Sequence, residues 1–240
     1  QLNQENIMMA MMPPPTIITE NLVFHLDCAD KTCLQGHTNT WSTLTSASGS
    51  VAGQLTNGAA ISFTETNGFG AIDFDGTNDF AAFTLPPMGV KSFTQDIWVK
   101  QDTFTNWQTW ISTSRSSTGF NCGTDADGDV VWYDGARRLE ANGVMDPNDD
   151  GAGAGIWRYI TYTRDANDSG AAVAYMDGVQ VDTGTITSDQ KQTVGSIGDL
   201  DRGAERTNGQ IAIVRFYKDV VFTPAMVLHN FNAQRHRFGR

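Results

Sequence analysis

The 240-residue chain carries 27 acidic and 16 basic side chains, which gives a formal net charge of −11. This charge repels phosphate backbones, so nucleic-acid binding is excluded for the body of the protein. There is no run of about 18 apolar residues, and no basic leader with a long apolar core precedes the first strand-like segment. Neither a membrane span nor a secretion signal is therefore expected.

Residues 1–20 differ in composition from the rest of the chain. They contain an apolar, methionine-rich segment followed by a proline triplet: Ile7, Met8, Met9, Met11, Met12, Pro13, Pro14 and Pro15. The prolines predict an extended segment that holds the apolar side chains away from the body of the chain. Because so much apolar surface is stable only when it is buried, we expect residues 1–20 to be an assembly arm that docks on another subunit.

From residue 21 to residue 240 the chain is interpreted as one domain. Short alternating apolar and polar runs, separated by Gly, Asn and Asp, recur roughly every ten residues and predict a β-sandwich or barrel. The alternation predicts that Trp98 lies on an outer face. The side chains expected to point between two sheets are Ile72, Phe74, Phe93, Ile97, Val99, Ile211 and Ile213.

One short helix is predicted over about 224–233, followed by a basic tail, 234–240. Thr223 is suited to the N-cap and Pro224 to the first helical position. Residues at helical spacing follow: Met226, Val227, Asn230 and Phe231. The tail carries Arg235, Arg237 and Arg240, which we expect to dock on an acidic surface of a partner.

The three cysteines, Cys28, Cys33 and Cys122, are an odd number and lack metal-type spacing. They do not form a disulfide framework, and we interpret all three as reduced. A Cys28–Cys33 bridge across a loop is the alternative.

Six stretches follow one another in a recognisable order. They are LVFHLD (22–27), AIDFDGTNDFAAF (71–83), SFTQDIWVK (92–100), IWRYITYTRD (156–165), AYMDGVQV (174–181) and the segment 209–239. Together they resemble the LamG-like jelly rolls of the concanavalin A-like lectin/glucanase fold over about residues 21–240. The resemblance implies an all-β domain of two packed antiparallel sheets, each of about six or seven strands.

The glucanases of that fold carry closely spaced glutamates, since retaining hydrolysis needs two carboxyls about 5–5.5 Å apart. None of the five glutamates has a second within ten residues: Glu5, Glu20, Glu65, Glu140 and Glu205. Asp73 and Asp75 have the spacing of a strand dyad, but Asp75-Gly76 is typical of a turn. The sequence therefore predicts a turn here and no enzyme.

Two acidic loops are the candidates for a metal, although no cofactor is required. One carries Asp125, Asp127 and Asp129, and the other carries Asp146, Asp149 and Asp150. The first has the alternate carboxylates of a calcium loop, but Val130 and Ala136 stand where an EF-hand has Gly and Glu. A hairpin with its tight turn at Asp127-Gly128 is the favoured interpretation, and bound calcium is the alternative.

Exposed aromatic side chains are the candidates for contact with a glycan, namely Trp107, Trp110 and Trp132. The two tryptophans of WQTW point in nearly opposed directions, so at least one should face outward, although most tryptophans of such sandwiches pack in the core.

The C-terminal FNAQRHRFG (231–239) is similar to the ending of domains from virion proteins of tailed, especially marine, phages. This resemblance implies a non-enzymatic structural protein of the virion. It would be a capsid decoration or appendage module that forms a homo-oligomer or docks on other proteins of the particle. A lectin-like module that binds host or environmental glycans is the alternative, and a glycoside hydrolase is the least favoured.

Overall fold

The computed structural model describes residues 16–30, 40–45, 49–56, 60–64, 69–85, 91–104, 106–114, 119–135, 137–146, 153–188, 190, 192–200 and 204–240. The predicted arm segment from Ile7 to Pro15 lies outside these residues, as do Cys33, Asp149 and Asp150. Within the described residues, no helix is long and apolar enough to cross a membrane.

The described chain forms two eight-stranded antiparallel sheets. Sheet A contains β1 (Leu22–Asp27), β4 (Ala60–Thr64), β5 (Phe69–Asp75), β7 (Phe93–Gln101), β12 (Trp157–Asp165), β13 (Ala171–Met176), β14 (Val179–Thr185) and β16 (Asn208–Lys218). Sheet B contains β2 (Thr40–Thr45), β3 (Gly49–Thr56), β6 (Phe80–Thr84), β8 (Gln108–Ser112), β9 (Asn121–Thr124), β10 (Val130–Tyr133), β11 (Arg137–Ala141) and β15 (Val194–Ile197).

The order of strands in sheet A is β14-β13-β12-β7-β16-β5-β4, with β1 also paired to β16. The order in sheet B is β11-β10-β9-β8-β15-β6-β3-β2. Consecutive strands repeatedly change sheet, as in a jelly roll. The predicted all-β sandwich is thus confirmed, with one or two strands more in each sheet than expected.

The core lies between the sheets. Six side chains predicted for it belong to one buried cluster with residues of sheet B: Ile72, Phe74, Phe93, Ile97, Val99 and Ile211. The prediction for Ile213 is wrong. The register between β16 and β7 shifts after Ile211, so Ile213 lies opposite Trp98 and packs with it on the outer face of sheet A. A β-bulge of this kind adds one residue and reverses the direction in which later side chains point.

The C-terminal segment covers the outer face of sheet A, the face directed away from sheet B. Helix α1 (Pro224–Gln234) begins as predicted, because Thr223 accepts a hydrogen bond from the Met226 backbone N–H. A 3₁₀ helix (Arg235–Phe238) follows. The Phe238 ring stacks on the Trp98 ring, with their centroids 4.0 Å apart. The helix and tail are therefore part of the folded domain.

Buried polar groups hold this segment in place. Arg215 and Asp96, both fully buried, form an ion pair with Nη1 and Oδ1 3.0 Å apart. Tyr159 and Asn230 donate further hydrogen bonds to Asp96 Oδ2, at 2.9 and 3.3 Å. Asn230 belongs to α1, so the helix is joined to the sheet by this network.

The arginines of the tail form contacts within their own chain. Arg237 donates two hydrogen bonds to Asp27, at 2.7 and 2.8 Å, and Arg240 donates one to Asp177 at 2.5 Å. Arg235 lies over the Phe231 ring, 6.0 Å from its centroid. The expectation that these arginines meet an acidic partner is therefore corrected for Arg237 and Arg240, whose charges are matched internally.

Two cysteines are described, Cys28 and Cys122, and both are buried free thiols. Burial is the largest effect on Cys122, and it raises the pKa of this thiol far above its ordinary value. The expectation of reduced cysteines is confirmed for these two residues.

Candidate ligand-binding site

The strands β8, β9 and β10 lie side by side in sheet B, and their register decides which side chains face outward. Trp132 and Cys122 are opposite each other and point into the core. Because side chains alternate along a strand, the next opposed pair, Tyr133 and Asn121, points to the outer face. Asn121 also lies opposite Ser112 of β8.

A pocket of about 260 Å³ opens at this position. Its described lining residues are Trp107, Asn121, Tyr133, Gly135 and Glu205. The rings of Trp107 and Tyr133 meet edge to face, with centroids 5.7 Å apart and planes at 72°. Both side chains are half-buried. The pocket therefore offers aromatic surface beside polar groups, which is the usual composition of a site for a small polar ligand.

The loop that carries Glu205 is fixed to the edge of β8. Thr109 donates from its backbone N–H to the Glu205 carbonyl at 2.6 Å and from its hydroxyl to Glu205 Oε2 at 3.2 Å. Thr207 Oγ1 in turn donates to the Thr109 carbonyl at 2.7 Å. Gly135, which also lines the pocket, adopts a φ of +92°, a conformation that glycine reaches without strain. The Glu205 side of the pocket is thus held by backbone and side-chain hydrogen bonds to β8.

Asn121 stands out among the lining residues. Only 4% of it is exposed, and its Oδ1 has no hydrogen-bond partner among the described residues. A buried polar atom without a partner costs about 1–3 kcal/mol, and such atoms in native proteins call for a physical explanation. This oxygen has almost no accessible surface, so it lies behind the surface of the pocket.

Of the three tryptophans predicted to contact a glycan, only Trp107 lines the pocket. Trp110 and Trp132 are fully buried. Trp110 donates to Gln101 Oε1 at 2.8 Å, and Trp132 stacks on Phe120 with centroids 4.8 Å apart. The prediction is therefore wrong for Trp110 and Trp132, because both side chains pack in the core.

Sequence reasoning missed the other lining residues. The outward direction of Tyr133 could have been inferred from the sequence. It comes directly after Trp132 in the strand VVWY, and neighbouring side chains of a strand point to opposite faces. Glu205 is more than 70 positions from Tyr133 in the sequence, and no local signal connects them. Asn121 looks like an ordinary polar residue at the start of a strand.

The first acidic loop is the predicted hairpin between β9 and β10. Asp125 Oδ1 accepts from the backbone N–H of Asp127 and of Asp129, at 3.1 and 3.0 Å, and Gly128 has a φ of +80°. The structure brings a different third carboxylate to this turn. Ligand oxygens of Asp125, Asp129 and Glu140 all lie within 4.8 Å of one another, whereas Asp127 is exposed.

Burial raises the pKa of Asp125, and the neighbouring charges of Asp129 and Asp127 add to the rise. This is the direction expected where carboxylates crowd together and a cation would relieve the repulsion. In the second loop, Asp146 is buried and lies beside Gly128, outside the group of three carboxylates. Calcium at either loop stays a prediction.

Asp75 forms the predicted turn at the end of β5, whereas Asp73 lies within the strand. Asp75 Oδ1 accepts from the backbone N–H of Thr77 at 2.7 Å and of Asn78 at 3.3 Å. Asp73 is exposed, and its Oδ1 accepts from Gln210 at 3.2 Å. Asp75 is therefore used to shape the connection between the two sheets.

Residues 75–227 match the family model Laminin_G_3, described as the concanavalin A-like lectin/glucanases superfamily. The match covers more than half of the chain, and the chain belongs to this superfamily. A search of curated proteins returned no match.

Solved structures with the same fold include binding domains. Domain 4 of AbnA, a GH43 extracellular arabinanase from Geobacillus stearothermophilus solved in complex with arabinotriose, superposes with a TM-score of 0.60 at 17% identity, covering 88% of this chain and 98% of that one. The binding domain of botulinum neurotoxin serotype D/C has a TM-score of 0.66 at 13% identity, covering 89% and 52%.

A botulinum neurotoxin DC binding domain in complex with SialylT has a TM-score of 0.65 at 13% identity, covering 90% and 52%. The chain thus spans about half the length of these neurotoxin domains. At such identities the likeness establishes the fold alone.

Proposed function

We propose that this protein is a non-enzymatic carbohydrate-binding module and that the pocket on the outer face of sheet B takes the sugar. The observation that carries the proposal is the pocket in which the half-buried aromatic rings of Trp107 and Tyr133 lie beside the polar residues Asn121 and Glu205. Sugar rings present apolar C–H faces and hydroxyl donors together. A ligand of this kind can cover the aromatic rings and exchange hydrogen bonds with the polar lining at the same time.

Two further observations support a binding role. The same sandwich fold occurs in an arabinanase domain solved with arabinotriose and in a neurotoxin binding domain solved with SialylT. Among the described residues that line the pocket, Glu205 is the one carboxylate, whereas glycoside hydrolysis takes a pair.

The experiment is a glycan array followed by calorimetric titration of the sugars that bind. Trp107→Ala is expected to lower affinity at least tenfold, because it removes the larger of the two aromatic side chains that line the pocket. Trp107→Phe is expected to retain part of the affinity. Val194→Ala, at an exposed position of the same sheet, is the control and should bind like the wild type. An array without any bound glycan, or an unchanged affinity in Trp107→Ala, would contradict the proposal.

We propose as a second candidate that the module is part of a phage virion, as a capsid decoration or appendage protein. The supporting observation concerns the base of the N-terminal arm. His229 Nε2 and the Thr16 carbonyl are 2.8 Å apart, and the Ile18 N–H donates to Asn230 Oδ1 at 2.9 Å. Residues 16–18 are thus attached to α1, which fixes the point on the domain to which residues 1–15 are joined.

Deletion of residues 1–15 tests the second candidate. The truncated protein should remain folded, with a melting temperature near that of the full chain, and should lose its ability to join a homo-oligomer or particle. Size-exclusion chromatography with light scattering measures the formation of the homo-oligomer, and co-sedimentation measures association with the particle. Equal assembly of both proteins would show that the arm has no such role.

A further inference from the structure

The charge of the pocket lining bears on the class of sugar that the pocket takes, provided that the proposed carbohydrate binding holds. Among the described residues that line the pocket, Glu205 is the only one with a charged side chain. Glu205 is half-buried, so a ligand in the pocket reaches it. One negative charge therefore lies at the binding surface, with no basic residue in the described lining.

The position of Glu205 is fixed by the fold. Its φ is +46°, which is uncommon for a residue other than glycine and persists only where the surrounding structure enforces it. Here the Thr109 backbone N–H donates to the Glu205 carbonyl at 2.6 Å, and the Thr109 hydroxyl donates to Glu205 Oε2 at 3.2 Å. Backbone conformations of this kind cluster at ligand-binding positions. The carboxylate is thus held at the pocket before a ligand arrives.

Two charged residues next to lining residues in the chain do not offset this carboxylate. Arg206 follows Glu205, but its Nη1 donates to the Thr77 carbonyl in the turn between β5 and β6. Asp134 comes directly after β10, between two lining residues, and adds a second acidic side chain, which is buried. The formal net charge of the whole chain is −11. A negative potential at the pocket follows from these charges.

The aromatic rings act in the same direction. The face of an aromatic ring attracts a cation that lies within about 6 Å of its centroid. Trp107 and Tyr133 therefore favour an ammonium group placed against their rings, as Glu205 does through its charge. A carboxylate or sulfate group at the same place is repelled, whereas a neutral hydroxyl donates a hydrogen bond to Glu205 without either effect.

We infer that Glu205 makes the pocket charge-selective, so that it takes amino sugars in preference to neutral sugars and rejects sugars that carry a carboxylate or a sulfate. Two charges about 4 Å apart in water change an affinity roughly fivefold, and more where water is partly excluded. Each step from the amine to the neutral sugar and from the neutral sugar to the acid is therefore expected to lower affinity roughly fivefold or more. Glu205 is thus a specificity-determining residue of the proposed site.

The first test compares forms of one ring that differ chiefly in charge. Methyl glycosides of glucose, galactose and arabinofuranose, together with any further ring that the array identifies, are each prepared with a terminal hydroxymethyl, aminomethyl or carboxylate group. Calorimetric titration at neutral pH in about 10 mM salt is expected to show that the amine binds roughly twentyfold or more tightly than the acid.

The ratio of these two affinities should fall severalfold in about 500 mM salt, because dissolved ions screen a charge that is partly exposed. Equal affinities of the amine and the acid would overturn the inference. Tighter binding of the acid, or a ratio that salt leaves unchanged, would overturn it as well.

The second test assigns the selectivity to Glu205. Glu205→Gln keeps the size of the side chain and an oxygen for the Thr109 hydroxyl but removes the charge. The amine-to-acid ratio of affinities is expected to fall below about fivefold. Asp168→Asn is the control, since it removes one negative charge at an exposed turn between β12 and β13, and it should leave the ratio as in the wild type. An unchanged ratio in Glu205→Gln would overturn the role of Glu205.

The outcomes also separate this inference from the proposed function. Arg137 lies opposite Tyr133 in the register of β10 and β11. Tighter binding of the acid that is lost in Arg137→Gln would overturn the inference and assign the opposite selectivity to Arg137. Absence of binding to every form and to the array would overturn the proposed carbohydrate binding itself, whereas equal binding of all three forms would overturn only the charge selectivity.

Discussion

The outer face of sheet A is covered by the C-terminal helix and tail, whereas the outer face of sheet B carries the pocket. On sheet A, Asp96 receives hydrogen bonds from Arg215, Tyr159 and Asn230 of the same chain. On sheet B, the pocket leaves the rings of Trp107 and Tyr133 half-buried beside Asn121 and Glu205. The outer face of sheet A is thus closed by the chain's own C-terminal segment, whereas the outer face of sheet B keeps an open pocket.

The largest expected effect lies in the covered face. Asp96→Ala leaves Arg215 buried without its counter-charge, and removal of one partner of a buried ion pair costs about 3–5 kcal/mol. Urea unfolding followed by tryptophan fluorescence measures this loss. Asp102→Ala is the matched control. Asp102 pairs with Lys100 at 3.9 Å, and its side chain is 45% exposed, so the expected change is below about 1 kcal/mol. Equal losses in the two variants would contradict the assigned role of the buried network.

The second effect is a pH dependence that also belongs to sheet A. Burial, followed by the charge of Arg215, lowers the pKa of His25 from 6.5 to about 3. Below pH 6.5 His25 is therefore protonated in the unfolded chain but stays neutral in the folded chain. The free energy of unfolding consequently falls as the pH drops toward 3. The slope contributed by one such group is at most about 1.4 kcal/mol per pH unit.

His25→Gln is expected to remove this contribution, so that the variant loses less stability than the wild type between pH 6.5 and pH 4. Comparison of the two proteins isolates His25, because carboxylates such as Asp27 titrate in both. Parallel stability profiles would show that His25 takes up its proton in the folded state.

The features of the two faces differ in how well they could be predicted from the sequence. The strands, the two-sheet sandwich and the helix from Pro224 onward were predictable, because alternation and capping are local signals. The bulge that turns Ile213 outward was not, since it depends on the pairing of β16 with β7. Of the residues that line the pocket, the sequence indicated only Trp107 as a candidate for glycan contact. Asn121, Tyr133 and Glu205 come together solely through the order of strands in sheet B and the loop before β16.

The smallest expected effect concerns calcium on the side of sheet B. Carboxylates of Asp125, Asp129 and Glu140 lie close enough to share one ion. Millimolar calcium is expected to raise the melting temperature by about 2–4 °C, since an ion that binds the folded state alone stabilises it by mass action. Asp129→Asn should lose most of this shift. Identical melting curves with calcium and with chelator would contradict calcium binding at these carboxylates.

The central claim is that carbohydrate binds at the sheet B pocket, and the tryptophan side chains report its position directly. The protein has six tryptophans, of which Trp107 lines the pocket, Trp110 and Trp132 are buried in the core, and Trp98 and Trp157 pack on the outer face of sheet A. Titration with a sugar from the array is followed in the indole N–H region of the ¹⁵N-¹H NMR spectrum. We predict that the Trp107 signal shifts most and that the Trp98 and Trp157 signals stay in place. Shifts confined to Trp98 and Trp157 would contradict the account.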